Sequence, residues 1–244
     1  MKNNLVHFQD LGSLDYRSAW DYQEKLFNEI LDIKSKNRQA EIAGESLNPL
    51  ATPNHLLFVE HPPVFTLGKA GKMNHLLAST DLLNQRKISF FQTNRGGDIT
   101  FHGPQQCVGY PILDLDNFFT DIGRYMRSLE DVMILTIAHY GLKGERSAGE
   151  TGVWLEADHP AKARKICALG VRCSRWVTMH GWALNVNTDL SYFDLIVPCG
   201  IVGKQVTSIE KELGYPVDIE EVKELVKVNF AKVFDVEWST QELT

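Results

Sequence analysis

Apolar positions recur along this chain in two rhythms, one helical and one extended. Tyr16, Trp20, Phe27, Ile30 and Leu31 fall at helical spacing behind Asp15, a good N-cap, and predict a helix over residues 16–33. Ile122, Tyr125, Met126, Leu129, Val132, Met133, Ile137 and Tyr140 form a second stripe, read as the longest helix and stopped by Gly141. A third stripe, Ile219, Val222, Leu225, Val226, Phe230 and Val233, follows a cap made of Asp218 with Glu221 three residues on. A short helix is expected over 81–87. Strand patterns cover 55–60, 64–67, 89–92 and 108–115, and Pro111 marks the last as an edge or a bulge. Four more extended pieces follow at 153–155, 165–172, 176–179 and 182–187. Residues 34–54 are polar, contain Pro49 and Pro53, and read as a surface connection, while 189–196 reads as irregular or one helical turn.

These elements predict an α+β fold: one domain over residues 1–244, with a mixed, largely antiparallel sheet flanked by helices. Residues 217–244 are expected to form a helical extension packed at one side.

Composition narrows the function classes. A hydrophobic content of 43% and a charged content of 23% belong to an ordinary globular protein. The formal charge of −6 argues against a nucleic-acid binder. No apolar run is long enough for a membrane helix, and the N-terminus lacks the apolar core of a secretory signal. The expected setting is therefore cytoplasmic, with reduced thiols. Cys107, Cys167, Cys173 and Cys199 form no C-x-x-C pair, so no structural metal site is expected. Neither G-x-G-x-x-G nor G-x-x-x-x-G-K occurs, and neither does G-x-S-x-G or H-E-x-x-H.

The chemistry concentrates in residues 165–200. No Asp or Glu lies between positions 159 and 188, whereas Lys162, Arg164, Lys165, Arg172 and Arg175 are all positive. A thiol beside a partly desolvated lysine is a ready nucleophile, and Cys199 (in P-C-G) and Lys165 (in K-I-C-A-L-G) are read as meeting in space for acyl chemistry. The duller readings stay open: Cys199 as a buried core cysteine, Lys165 as a snorkelling surface lysine. The paired glycines of R-G-G-D-I-T-F-H-G make either a close approach to a ligand or a plain hairpin. His102 and His180 each precede a glycine and read as bases, ligands or hydrogen-bonded core groups.

Five blocks in order carry a resemblance: E-H-P-P-V-F-T-L-G at 60–68, R-G-G-D-I-T-F-H-G at 95–103, K-I-C-A-L-G at 165–170, H-G-W-A-L-N-V at 180–186 and P-C-G at 198–200. Together they resemble the signature of octanoyl-ACP:protein N-octanoyltransferases. The resemblance implies the catalytic fold of biotin and lipoate protein ligases. It implies transfer of an octanoyl or lipoyl group through a cysteine thioester, the first step of protein lipoylation, with no cofactor. It implies octanoyl-acyl carrier protein as donor, and lipoyl domains of 2-oxo acid dehydrogenase complexes and the glycine cleavage H protein as acceptors. Nucleic acid and membrane are not among the expected partners. On this pattern Cys199 carries the acyl group and Lys165 lowers its thiol pKa. The substrate site would be lined by Arg95, Gly96, Gly97, Asp98, Ile99, Thr100, Phe101 and His102, by Ala168, Leu169 and Gly170, and by His180, Gly181, Trp182 and Ala183. Gln105 stands where the family often has glycine and Trp182 where leucine is usual, and both are expected to bear on acyl chain length. Two rivals remain: an ATP-dependent lipoate or biotin ligase on the same fold, and a non-catalytic acyl- or lipoyl-domain-binding module.

Overall fold

Side chains on a strand alternate between two faces, so a strand buried on both sides needs two separate covers. The computed structural model, which describes residues 3–44, 49–197 and 205–240, supplies both. On β2 (Asn54–Glu60), Leu56 and Phe58 point into one core while Leu57 and Val59 point into another. The main sheet runs in the order β10 (Gln205–Val206), β8 (Arg164–Ser174), β9 (Val177–Asn185), β6 (Gln106–Ile112), β2, β1 (Leu5–Ser13), β11 (Glu237–Trp238). Short β7 (Val153–Leu155) pairs with β8. The centre of the sheet is antiparallel, and the β1–β2, β1–β11 and β10–β8 pairs are parallel.

One face is covered by α3 (Ile122–Ala138) and α5 (Ile219–Phe234), whose Leu129, Met133, Val226 and Phe230 are fully buried against it. The other face is covered by α1 (Tyr16–Ile42) through Ala19, Leu26, Phe27 and Ile30. A second sheet, β4 (Ser89–Gln92), β3 (Val64–Leu67) and β5 (Ile99–His102), has its own cluster of Phe65, Leu67, Phe101 and Phe193. Short helices α2 (Thr80–Gln85) and α4 (Ile209–Leu213) complete the described elements, apart from single 3₁₀ turns. Among the described residues no helix is long and apolar enough to cross a membrane.

Several expectations change. α1 continues past residue 33 to Ile42 and, at 27 residues, is the longest helix, not α3 with 17. Its polar second half is held by tertiary contacts. Lys34 ion-pairs with Asp114 and Asp116, and the Asn37 side chain clasps the Leu50 backbone at both N–H and C=O, 2.9 and 2.8 Å. Much of the supposed surface connection is therefore helix. β1 and the separateness of the second sheet were not anticipated, because β1 lacks a clean apolar alternation. Pro111 lies in β6, an interior strand, opposite Leu56 of β2. It is tolerated because the ladder to β9 lapses after Gly109. Beyond that point His180 leaves the extended conformation, at φ 58°. The strand continues through His180, so the pieces expected at 176–179 and 182–187 are one strand.

Candidate active site

Facing sheets pack about 10 Å apart when their side chains fill the gap. On β8 and β9 two directly opposed pairs, Ala168 with Ala183 and Gly170 with Gly181, offer a methyl group or nothing. The space they leave is a cavity of about 820 Å³, counted with its open mouth.

The opposite wall is the loop and strand of R-G-G-D-I-T-F-H. Buried Arg95 turns its guanidinium inward and donates to Thr66 O and Asp98 O, each at 2.7 Å, and to Gly96 O at 2.9 Å. The loop is thereby folded around a cation. Gly97 takes φ 81°, a conformation that favours glycine. A Cβ on Gly68 would meet Gly97 O at 2.4 Å and one on Gly170 would meet Gly96 O at 2.9 Å, so glycines on both partners admit the loop.

Of the substrate-site residues expected from sequence, Arg95, Gly97, Asp98, Ile99, Thr100 and His102 line the cavity on this wall. Ala168, Leu169, Gly170, His180, Gly181, Trp182 and Ala183 line it on the other. Gly96 does not line it; its N–H donates to Val171 O at 2.9 Å and pins the loop to β8. Phe101 does not line it; it packs in the second core and stacks on Tyr192 at 4.4 Å. Trp182 borders the cavity but packs its ring against Phe58 and Phe230 in the main core. Gln105 is not a wall residue. It sits at φ 61°, donates its N–H to Glu60 and accepts from the Asn187 side chain at 2.7 Å. A left-handed position explains why glycine suits this place.

Lys165 reaches the same cavity through a β-bulge. Strict alternation would send it with Cys167 and Leu169 into the main core. In the β7–β8 register, however, Val153 faces Cys167 and the next residue, Trp154, faces Lys165, so β8 carries one extra residue. Bulges of this kind re-aim side chains, and Lys165 lines the cavity with Ala168 and Gly170. Its Nζ lies 4.6 Å from the centre of the Trp154 ring. Gly152, at φ 112°, lets the neighbouring loop press on the lysine stem: a Cβ there would come within 3.4 Å of Lys165 Cε. That loop is held by fully buried Glu130, which accepts from Gly152 N at 3.0 Å and from Arg127 and Arg146 at 2.6 and 2.9 Å. Thr207 N donates to Lys165 O at 2.9 Å, and Val206 of β10 pairs with Lys165.

Cys199, with the rest of P-C-G, lies outside the described residues. The chain before it is described to Val197, whose N–H donates to His75 O at 2.8 Å. His75 is itself paired with Asp98 of the R-G-G-D loop at 2.7 Å. The described chain resumes at Gln205 on β10, beside Lys165. Burial raises the pKa of the other three thiols. Cys107 is pushed up to about 12, Cys167 well above the usual range, and Cys173 more modestly.

Away from Lys165 the cavity meets a buried cluster of neutral rings. His61 Nδ1–H donates to Leu14 O and its Nε2 accepts from the Tyr110 hydroxyl, both at 2.7 Å. His102 Nδ1–H donates to Gln106 Oε1 at 3.0 Å, the Gln106 amide being committed to Asn185 Oδ1 and Phe101 O. Burial lowers His61 to about 4, His180 to about 3 and His102 well below the ordinary histidine value. Tyr16, Gln106, Tyr110, Asn185 and Phe193 also line the cavity and were not singled out from sequence. For Tyr16, Gln106 and Tyr110 the only available signal was a polar residue on an otherwise apolar face. The cationic stretch is largely neutralised: Arg164 pairs with Glu156 and Glu212, and Arg172 with Glu24.

The mixed sheet thus carries a side-chain-poor slot that ends at a lysine. The chain belongs to the lipoyl protein ligase A/B catalytic domain family, whose model matches residues 15–231. It is 58% identical over 234 residues to an octanoyltransferase of Flavobacterium psychrophilum, covering 96% of this chain and 98% of that one. It is 57% identical to an octanoyltransferase of Flavobacterium johnsoniae, with 96% and 99% covered. Among solved structures it is similar to a bipartite lipoate protein ligase from Thermoplasma acidophilum, with TM-score 0.67, 15% identity and 100% and 88% of the two chains covered. A lipoate-protein ligase A solved with ATP bound gives TM-score 0.67 at 13% identity, with 100% and 90% covered. The fold is thus the lipoate protein ligase catalytic fold, as expected.

Proposed function

We propose that this chain is an octanoyltransferase of protein lipoylation, acting in the cytoplasm between octanoyl-acyl carrier protein and lipoyl domains. The acceptors are those of 2-oxo acid dehydrogenase complexes and the glycine cleavage H protein. The observation that carries the reading is the narrow slot over Ala168, Ala183, Gly170 and Gly181, which ends at a lysine turned into it by a bulge. The high identity to octanoyltransferases over nearly the whole chain supports it.

In this reading the Cys199 thiolate attacks the donor thioester carbonyl, the donor C–S bond breaks, and the leaving thiolate takes a proton from the Lys165 ammonium. The acyl group then sits on Cys199. The acceptor lysine amine attacks that thioester, the C–S bond breaks, and an amide forms. Lys165 stabilises the thiolate and passes the proton between amine and leaving thiol. The first step exchanges one thioester for another and the second is downhill, so neither needs ATP. The described thiols support the choice of Cys199, since burial raises the pKa of Cys107, Cys167 and Cys173 and so disfavours their thiolates.

The test is to incubate the protein with octanoyl-acyl carrier protein without ATP, digest it, and locate the mass increase. The adduct is expected on Cys199 and absent from Cys199→Ala. An adduct on another cysteine overturns the residue assignment. Transfer that requires ATP and releases pyrophosphate overturns the transferase reading in favour of a ligase, and binding without any bond leaves a non-catalytic module.

A further inference from the structure

One buried charge has no account in packing alone. Glu130 lies on α3 beside buried Leu129, Val132 and Met133, and is itself 0% exposed. Its cationic partners reach it from the surface: Arg127 Nη1 and Arg146 Nε donate to Oε2 at 2.6 and 2.9 Å, through side chains 44% and 37% exposed. Desolvation offsets most of the attraction in a pair buried this deeply, so an apolar residue would serve stability as well. An apolar residue could not accept from Gly152 N, as Glu130 Oε1 does at 3.0 Å.

The two oxygens of Glu130 therefore grip one loop at both ends. Arg146 follows Glu145, whose backbone exchanges hydrogen bonds with Trp154 at 2.7 and 2.9 Å, and Gly152 leads back into β7. The groups that shape Lys165 from this side lie at that second end. Thr151 lines the cavity, Gly152 lies against the lysine stem, and the Trp154 ring is 4.6 Å from Nζ. The register irregularity falls between Val153 and Trp154, directly after the anchored residue. Continued regularly from Val153 opposite Cys167, the ladder would set Trp154 opposite Ile166; instead Trp154 faces Lys165. A one-residue change of register turns side chains to the other face, and β7, three residues long, has few ladder bonds of its own to resist it.

We propose that Glu130 is a positioning residue for the transfer reaction, gripping the loop over 146–152 so that β7 keeps the register that aims Lys165 into the cavity. The inference rests on the Lys165 role proposed above and adds to it a residue of α3, outside every block of the family resemblance. A lysine stem left to itself samples many rotamers and carries its ammonium out to water. With the loop against the stem and the indole beside the ammonium, proton transfer begins from a narrow set of conformations.

The experiment is the pH profile of Cys199 alkylation in the full chain, with thermal melting to confirm folding. Glu130→Met keeps the bulk and removes the acceptor for Gly152 N, and should raise the alkylation midpoint by about one pH unit. In a Lys165→Ala background the same substitution should move it by no more than about 0.3 units, because the effect runs only through the lysine. A purely structural residue shows no such dependence. Arg146→Gln, at a partly exposed guanidinium, loosens the same loop without altering the interior, and should move the midpoint in the same direction and under the same condition. A midpoint unmoved in every variant that folds overturns the inference, and so does a rise that persists without Lys165. If Lys165→Ala alone leaves the midpoint at its wild-type value, the Lys165 role itself fails, and this inference with it.

Discussion

His55 offers the sharpest test of how this fold handles buried polarity. It lies on β2, 3% exposed, and stacks on His7 at 5.4 Å, with both of its ring nitrogens lacking a hydrogen-bond partner among the described residues. Burial, and secondarily the neighbouring His7, lower its pKa from 6.5 to about 4. The native state therefore requires neutral imidazole. Below pH 6.5 the unfolded chain binds a proton that the native chain refuses until about pH 4, so stability falls as pH falls through that window. The difference, 6.5 − 4 = 2.5 pH units at 1.36 kcal/mol each, amounts to about 3 kcal/mol by pH 4. His55→Leu keeps the bulk and removes both the proton and the unpaired nitrogens. Freeing an unsatisfied buried polar group contributes about 1–3 kcal/mol at any pH. The variant should thus be about 1–2 kcal/mol more stable at pH 7.5, with the gap growing by about 2 kcal/mol at pH 5. Urea unfolding followed by tryptophan fluorescence at pH 7.5, 6.5, 5.5 and 5 measures both quantities. A gap that stays constant across this range, or a variant less stable than wild type at pH 7.5, refutes the reasoning.

Two further predictions concern the reaction. A free thiol titrates near ~8.5, and an adjacent ammonium lowers this by about one to three units. The alkylation midpoint of Cys199 should therefore sit well below ~8.5 in wild type and move up toward it in Lys165→Ala. Lys165→Arg should keep fast alkylation yet lose transfer, since guanidinium holds its proton; an unmoved midpoint in Lys165→Ala removes Lys165 as activator. Ala183→Leu fills the floor opposite Ala168. It should shift preference toward acyl chains shorter than octanoyl, with octanoyl kcat/KM falling about 10–100-fold, while an unchanged chain-length profile would move the acyl chain elsewhere.

The sequence by itself determined the helical stripes of α3 and α5, most of the central strands, and the ordered blocks that mark the family. These are local signals: periodicity of 3.6 or 2, caps, and glycines where the backbone must turn or approach. It also named most of the cavity wall, through the family resemblance that its ordered blocks carry, and at Gly170 and Gly181 there is no room for a Cβ. The tertiary structure decided the rest. Whether α1 stops at residue 33 or runs to Ile42 depends on Asp114 and Asp116, which accept Lys34 from far along the chain. Pro111 looked like an edge signal, yet its strand is interior, because the neighbouring ladder lapses just where proline has no N–H to give. Phe101 sits inside the R-G-G block but packs in the second core. Lys165 and His180 point into the cavity only because a bulge and a left-handed residue override strand alternation. Such exceptions are stabilised by partners remote in sequence, among them Trp154, Glu130 and Gln23. No local pattern encodes them.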